Sequence, residues 1–203
     1  MQNILILGTT NAGKLRELIP LLAPHGITCQ SLETQSRAVD VEETGASFAE
    51  NAALKATLQA QALGEWVLAE DSGLVVPALG GEPGIFSARF SGKNASDAAN
   101  NKKLLERLSD LHGQKRAAHY SCHAALSNPS GTIVSTASDI CSGIIGHTLV
   151  GSGGFGYDPL FIVAEYHQTF GELPAAVKSI ISHRARAMRQ ILPAILYHLG
   201  QNH

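Results

Sequence analysis

The chain reads as an α/β fold built on a mixed sheet, and two observations predict it. In the first third, short apolar runs at 4–7, 27–32 and 66–69 alternate with helical patterns. In the middle, two long strand-like stretches at 117–127 and 132–145 flank Asn128-Pro129-Ser130-Gly131, a hairpin turn. The interleaved part predicts strands joined through helices, and the hairpin predicts antiparallel neighbours.

Taken in order, the run Ile4-Leu5-Ile6-Leu7 feeds directly into Gly8-Thr9-Thr10-Asn11-Ala12-Gly13-Lys14. A helix is expected over about 14–23 from the spacing of Leu15, Leu18, Ile19 and Leu22, with Pro20 able to kink it. After the strand at 27–32 comes a polar, acidic stretch that ends in Glu42-Glu43-Thr44-Gly45. Ser47-Phe48-Ala49-Glu50 has the capping-box pattern and opens an alanine-rich helix that Gly64 stops. The strand at 66–69 is expected to end at Glu70-Asp71-Ser72-Gly73, with a separate apolar run at 74–79. Residues 80–94 form a long, glycine-rich connection, a length more often functional than idle. Ser96 caps a helix that runs to about Leu108. A second glycine-rich loop covers 151–158, a strand follows at 160–163, and residues 182–199 are helical.

A chain of 203 residues, 44% hydrophobic and 16% charged, can bury a sizeable core, and residues 1–203 are read as one two-lobed domain. The formal net charge of −2 and the lack of a long basic run argue against sequence-independent nucleic-acid binding. Cys29, Cys122 and Cys141 are few, odd in number and far apart, which suits a reducing compartment rather than a disulfide framework. No signal-peptide pattern and no membrane-length apolar run is found, so the expected location is cytoplasmic, with no membrane partner.

Four segments could carry chemistry. Strand, glycine loop, Lys14 and helix outline a phosphate cradle, and the spacing fits G-x-x-x-x-G-K. A P-loop needs Ser or Thr next to hold magnesium, and this chain has Leu15, so any metal must be held elsewhere. Glu43 and Asp71 are oxygen ligands of the kind magnesium takes together with substrate phosphates, and one of them could accept a proton from water. In the loop Gly153-Gly154-Phe155-Gly156-Tyr157-Asp158, glycines would let backbone approach a flat ligand. Phe155 offers a stacking face and Asp158 an acceptor for ring N–H groups. Lys178, Ser182, His183 and Arg184 gather donors near a helix start.

Each segment also has a plainer reading. These are a tight turn with a solvated lysine, solvated acids with Asp71 capping a turn, a surface loop with two core aromatics, and a polar helix face capped by Ser182. His119 and His123 share a strand face but lack further ligands for zinc, and Cys122 reads as core.

In register, these segments make the chain resemble the inosine triphosphate pyrophosphatase family. The matching stretches are Thr9 to Lys14, Glu42-Glu43-Thr44-Gly45 with Phe48 and Glu50-Asn51-Ala52, and Asp71-Ser72-Gly73-Leu74 with Pro83-Gly84-Ile85 and Ser87-Ala88-Arg89. Gly153 to Pro159 and Ser182-His183-Arg184 after Lys178 complete the set. The resemblance implies an elongated mixed sheet flanked by helices in two lobes with a central active-site cleft, and a homodimer. It implies magnesium-dependent hydrolysis of ITP, dITP and XTP between the α- and β-phosphates, giving the monophosphate and pyrophosphate. It places Thr9, Thr10, Asn11, Ala12, Gly13 and Lys14 on the phosphates, Glu43 and Asp71 on the metal, and Ser72 on the substrate. Asp71 would also be the proton acceptor, and Lys14 would stabilise the leaving pyrophosphate. Phe155, Gly156, Tyr157, Asp158, Lys178, His183 and Arg184 would hold the base and nearby groups. Glu70 and Val177 depart from the family pattern, which commonly has an aspartate at the first position and an acid at the second.

Two other classes stay open on the sequence. A γ-phosphate-transferring NTPase or kinase would release orthophosphate, and Leu15 argues against it. A non-enzymatic nucleotide-binding module would have no use for Glu43 and Asp71.

Overall fold

Alternation along the first strand sets the two faces of the sheet. β1 (Asn3–Leu7) directs Leu5 and Leu7 to one side and Ile6 to the other. On the first side, Leu5 and Leu7 pack against Leu18 and Leu22 of α1 (Ala12–Leu22) and against Ile191 and Ile195 of α5 (His183–Gly200). On the other, Ile6 packs against Ala60 and Leu63 of α2 (Phe48–Leu63). The computed structural model describes residues 3–200, and among them no helix is long and apolar enough to cross a membrane.

β1 lies between β2 (Ile27–Ser31) and β3 (Val67–Val75), parallel to both. The sheet continues through β4 (Ala117–Ser127), β5 (Ile133–Ile145), β6 (Phe161–Val163) and β7 (Gln168–Thr169) in the order β2-β1-β3-β4-β5-β6-β7. The pairs β5–β6 and β6–β7 are antiparallel, so the sheet is mixed, as the sequence predicts. The expected turn joins β4 to β5, where the Asn128 Oδ1 atom accepts from the backbone N–H groups of Ser130 and Thr132. Ser47 caps α2 by accepting from the Glu50 N–H at 3.2 Å, and Ser96 caps α3 (Asp97–Arg107) through Ala99 in the same way.

The chain divides into two compact units, one of residues 3–71, 122–139 and 184–200, the other of 72–121 and 140–183. The core of the first is the pair of packed faces just described. In the second, Leu104 of α3 packs with Tyr120, Cys141, Ile145, Phe161 and Phe170. The Phe161 and Phe170 rings stack 5.4 Å apart, and Tyr120 tilts against Phe161 at 4.7 Å. Arg116 closes this unit from within. It is buried, and its guanidinium donates to the carbonyls of Leu108 at 2.7 Å, Ile145 at 2.7 Å and Gly146 at 2.6 Å. These are the ends of α3 and β5, where helix and strand leave carbonyls unmatched.

Three features differ from the sequence reading. β3 does not stop before the acids but runs through Glu70, Asp71, Ser72 and Gly73 to Val75, so Asp71 lies within a strand and not at its end. β1 ends at Leu7, opposite Leu68, so the acids lie past the end of this neighbour, and cations described below neutralise them there. The C-terminal helical region starts earlier, with α4 (Ala175–Ile181), and Lys178 sits inside that helix. Ser182, in an extended conformation, separates α4 from α5. α1 likewise begins two residues before the expected Lys14, with Asn11 as its cap.

Arg116→Ala is expected to lower stability by about 2–5 kcal/mol, because it strands several buried carbonyls. Arg116→Lys should recover only part, since a single ammonium cannot replace the guanidinium fork. Urea unfolding of the three proteins measures this.

Candidate active site

The phosphate-type loop is held by its own side chains. Asn11 adopts extended backbone angles, and its Oδ1 accepts from the Lys14 N–H at 3.0 Å, capping α1. Thr9 Oγ1 accepts from the Asn11 N–H at 3.1 Å. Thr10, Asn11 and Ala12 are exposed, Gly13 is buried and Lys14 is half-buried, so the helix start faces outward while the Lys14 ammonium turns in to Glu70. Leu15 packs on the core, which confirms that the hydroxyl position of a P-loop is apolar here.

Beneath Lys14 lies a buried ionic network. Glu70 on β3 accepts from Lys14 Nζ at 3.2 Å and from Arg184 Nε at 3.0 Å. Arg184 also pairs with Glu17 of α1, and Cys122 Sγ lies 3.7 Å from the second Glu70 oxygen. Glu70, with its longer side chain, is therefore an internal anion that anchors two cations. Arg184, expected on the base, is 2% exposed and pairs with two carboxylates. Burial alone would lower its pKa, but Glu70 and Glu17 hold it well above its ordinary value.

A second trio forms around Asp71. Lys55 of α2 places its ammonium 2.7 Å from Glu43 Oε1 and 3.1 Å from Asp71 Oδ1. Asn51, one turn earlier on the same helix face, donates to Asp71 Oδ2 at 3.3 Å and accepts from the Gly45 N–H at 2.9 Å. Asn51 thus ties the loop that carries Glu43 to the strand that carries Asp71. Burial raises the Asp71 carboxyl above the usual carboxylate range, against the pull of Lys55 and Lys14. Burial alone would lower Lys55, but Asp71 and Glu43 outweigh it and hold the amine above its ordinary value.

The two acids, 28 positions apart in sequence, therefore converge on one cation position. One ammonium against two carboxylates leaves the trio with a net negative charge. Among the described residues, no group of three or more His, Cys, Asp or Glu side chains gathers as a metal site. A pair of hard oxygen donors completed by phosphate oxygens is the set that magnesium commonly uses, so these residues fit that ion. Lys55 carries no motif of its own; its one sequence signal was a polar residue one turn after Asn51 in an alanine-rich helix.

The base-type residues gather in the other unit. Lys178 pairs with Asp158, and its ammonium lies 5.1 Å from the centre of the Phe155 ring and 5.2 Å from that of Phe170. The same Asp158 oxygen accepts from the Phe155 N–H at 2.8 Å, and the other lies 3.4 Å from the Tyr120 hydroxyl. His183 stacks on Tyr120, with centroids 4.7 Å apart and planes 8° from parallel. Tyr157 is buried, donating to the Ser87 carbonyl at 2.8 Å, so it supports the loop rather than offering its hydroxyl. Ser72 is half-buried on β3. Tyr120 was missed because it lies in a strand whose alternation marks it only as core.

One loop glycine serves a close approach of the chain to itself. A Cβ on Gly154, at φ +74°, would lie 1.9 Å from Asp158 Oδ2. Neither Cys29 nor Cys122 is primed for attack: burial pushes Cys29 up to about 11 and Cys122 well above its ordinary value. Burial lowers the pKa of both His119 and His123, and His123 stacks on Phe48 at 6.0 Å.

Two outcomes follow from these networks. Arg184→Ala should cost about 3–5 kcal/mol in urea unfolding, since it leaves buried Glu70 short of its partner; a loss below 1 kcal/mol would contradict the network. The pH dependence follows from Asp71. Its folded pKa is raised, so its ionised form opposes folding, and that opposition is relieved as pH falls through the raised pKa. Relative to Asp71→Asn, the metal-free wild type should gain stability as pH falls through that raised pKa, as measured by unfolding across a pH series.

The comparisons with known proteins agree with this arrangement. The Ham1 family profile matches residues 5–194. The chain is 50% identical over 192 residues to the dITP/XTP pyrophosphatase of Rhodopirellula baltica, covering 95% of this chain and 92% of that protein. It is 47% identical over 188 residues to the dITP/XTP pyrophosphatase of Desulforamulus reducens, covering 93% of each. Among solved structures, a HAM1 protein from Coxiella burnetii superposes with a TM-score of 0.85 at 37% identity, covering 96% of this chain and 98% of that one. The Ham1 protein of Staphylococcus aureus gives 0.82, also at 37% identity, with the same coverage. The sheet, the paired acids and the aromatic donor cluster thus occur in a chain that belongs to the Ham1 family.

Proposed function

We propose that this chain hydrolyses deaminated, non-standard purine nucleoside triphosphates (ITP, dITP and XTP) to the monophosphate and pyrophosphate, and so clears them from the nucleotide pool. The observation that carries the reading is the convergence of Glu43 and Asp71 on one cation position, in a chain half identical to a dITP/XTP pyrophosphatase. A mere nucleotide binder would have no use for that pair.

In this reading, the capped start of α1 and Lys14 take the phosphates, with Thr9, Thr10, Asn11, Ala12 and Gly13 supplying the loop. Lys14, fixed from below by Glu70, offsets the charge that builds on the departing pyrophosphate. Asp71 accepts the proton of the attacking water, and its raised pKa suits a general base. A magnesium ion held by Glu43 and Asp71 would supply charge neutralisation on the phosphates and orient the water.

Base choice falls to the second cluster. Lys178 presents its donors beside the Phe155 ring, His183 does so from its stack on Tyr120, and Ser72 contacts the substrate nearby in sequence to Asp71. Hypoxanthine and xanthine carry a carbonyl at position 6, which accepts from such donors, whereas adenine has an amino donor there. Buried donors left unmatched in this way reject a base strongly. Asp158 is the acceptor for ring N–H groups in this reading. Arg184 acts on the substrate through Glu70 and Lys14. The homodimer belongs to the same reading and rests on the family resemblance, while the cytoplasmic setting rests on the sparse cysteines and the lack of signal-peptide and membrane patterns.

The test is one assay of ITP, XTP, GTP and ATP with magnesium, detecting pyrophosphate and orthophosphate separately. Pyrophosphate from ITP should exceed that from ATP by a factor on the order of a hundred or more. Orthophosphate as the primary product would point to γ-phosphate cleavage instead. Asp71→Asn should remain folded and lose turnover by about a hundredfold or more, while a binding module would keep its nucleotide affinity and show no turnover to lose.

A further inference from the structure

We propose that the first turns of α3 act as a clamp that positions the base-stacking loop, with Asp97 and Asn101 as specificity-positioning residues. The inference rests on the base-binding role given above to Phe155 and Lys178.

The geometry centres on Gly156, the residue after Phe155. Its N–H donates to Asp97 Oδ2 at 2.7 Å, and its carbonyl accepts from Asn101 Nδ2 at 2.9 Å. Asp97 and Asn101 are four apart on α3 and so lie on one face, one turn apart. One helix face therefore grips both polar groups of a single residue. Gly156 sits at φ +61°, a left-handed conformation in which neither group continues a regular strand or helix. The two side chains supply the partners that secondary structure does not.

The helix also fixes the flanking segment. Asn100 accepts from the Ser91 N–H at 2.8 Å and from its hydroxyl at 2.9 Å, and donates to the Ala88 carbonyl at 3.1 Å. Tyr157, following Gly156, donates to the neighbouring Ser87 carbonyl. Adjacent asparagines on α3 thus hold the two loops of this unit that the sequence marks as functional.

Stability alone does not account for Asn101. It is 4% exposed, and among the described residues its Oδ1 has no hydrogen-bond partner. Its orientation is fixed, because the Gly156 carbonyl can only accept, so the amide nitrogen must face it. A buried acceptor without a partner costs free energy that an apolar side chain would avoid. What the amide gains is control of Gly156, and through it the plane of the Phe155 ring and the Phe155 N–H that binds Asp158.

Asp97→Ala, Asp97→Asn and Asn101→Leu separate this role from a structural one. Asp97 is exposed, so its variants should fold whatever happens to Asn101→Leu. With ITP as substrate, Asp97→Ala should raise KM about tenfold with kcat within about twofold, and narrow the preference for ITP over ATP. Asp97→Asn, which keeps an acceptor for the Gly156 N–H, should restore both. Asn101→Leu should show the same rise in KM without a fall in Tm. The proposal is overturned if wild type hydrolyses ITP but the Ala and Leu variants keep its KM. It is also overturned if Asp97→Asn behaves like Asp97→Ala, or if the variants lose only Tm. A wild-type protein inactive on ITP would instead remove the functional reading on which the proposal stands. In that case the Gly156 amide signal in 1H–15N spectra still reports the clamp, and an unmoved signal in Asp97→Ala overturns it.

Discussion

The structure turns on two adjacent carboxylates in a strand that is buried on both sides. Glu70 and Asp71 are 2% and 6% exposed, and successive strand residues point to opposite faces. Isolated charges at such positions would be prohibitive, so each face must bring its own cations. On one side α1 and α5 deliver Lys14 and Arg184 to Glu70; on the other, α2 delivers Lys55 and Asn51 to Asp71. The helices that cover the sheet thus also neutralise it. The residues proposed to act in the reaction are the ones that make burial of β3 tolerable.

The second unit solves a different problem with similar means. In the proposed reading, its donors must be held rigid beside an aromatic face to meet a base. Asp158 gathers Lys178, the Phe155 N–H and Tyr120, and the Phe155 and Phe170 rings confine the ammonium. Stacking of His183 on Tyr120 fixes a second ring in the same group. Preorganisation of this kind lets discrimination arise from geometry already present before substrate arrives.

Much of this was legible in the sequence, because short-range rules governed it. Ser47, Ser96 and the hairpin at Asn128 act locally, and each appears where its pattern placed it. The phosphate loop and the paired acids were also legible as residue types. What could not be read were long-range partnerships. Nothing adjacent to Lys55 signals two carboxylates, and nothing near Arg184 signals Glu17, 167 positions away. The strand end expected before Glu70 failed for the same reason: a run of acids looks like a loop until its distant cations are known. α4 was hidden by its shortness, since seven residues fall short of two full periods of the helical pattern.

The ammonium of Lys55 has a further consequence. It is a tethered counter-ion: without it, Glu43 and Asp71 would repel one another across a poorly solvated gap. An incoming divalent ion gains only the difference between its own attraction to those oxygens and the attraction it replaces. In the proposed reading, bare protein would hold such ions weakly, and a nucleotide arriving with several negative charges would tip the exchange. Ion and substrate would then arrive as a pair.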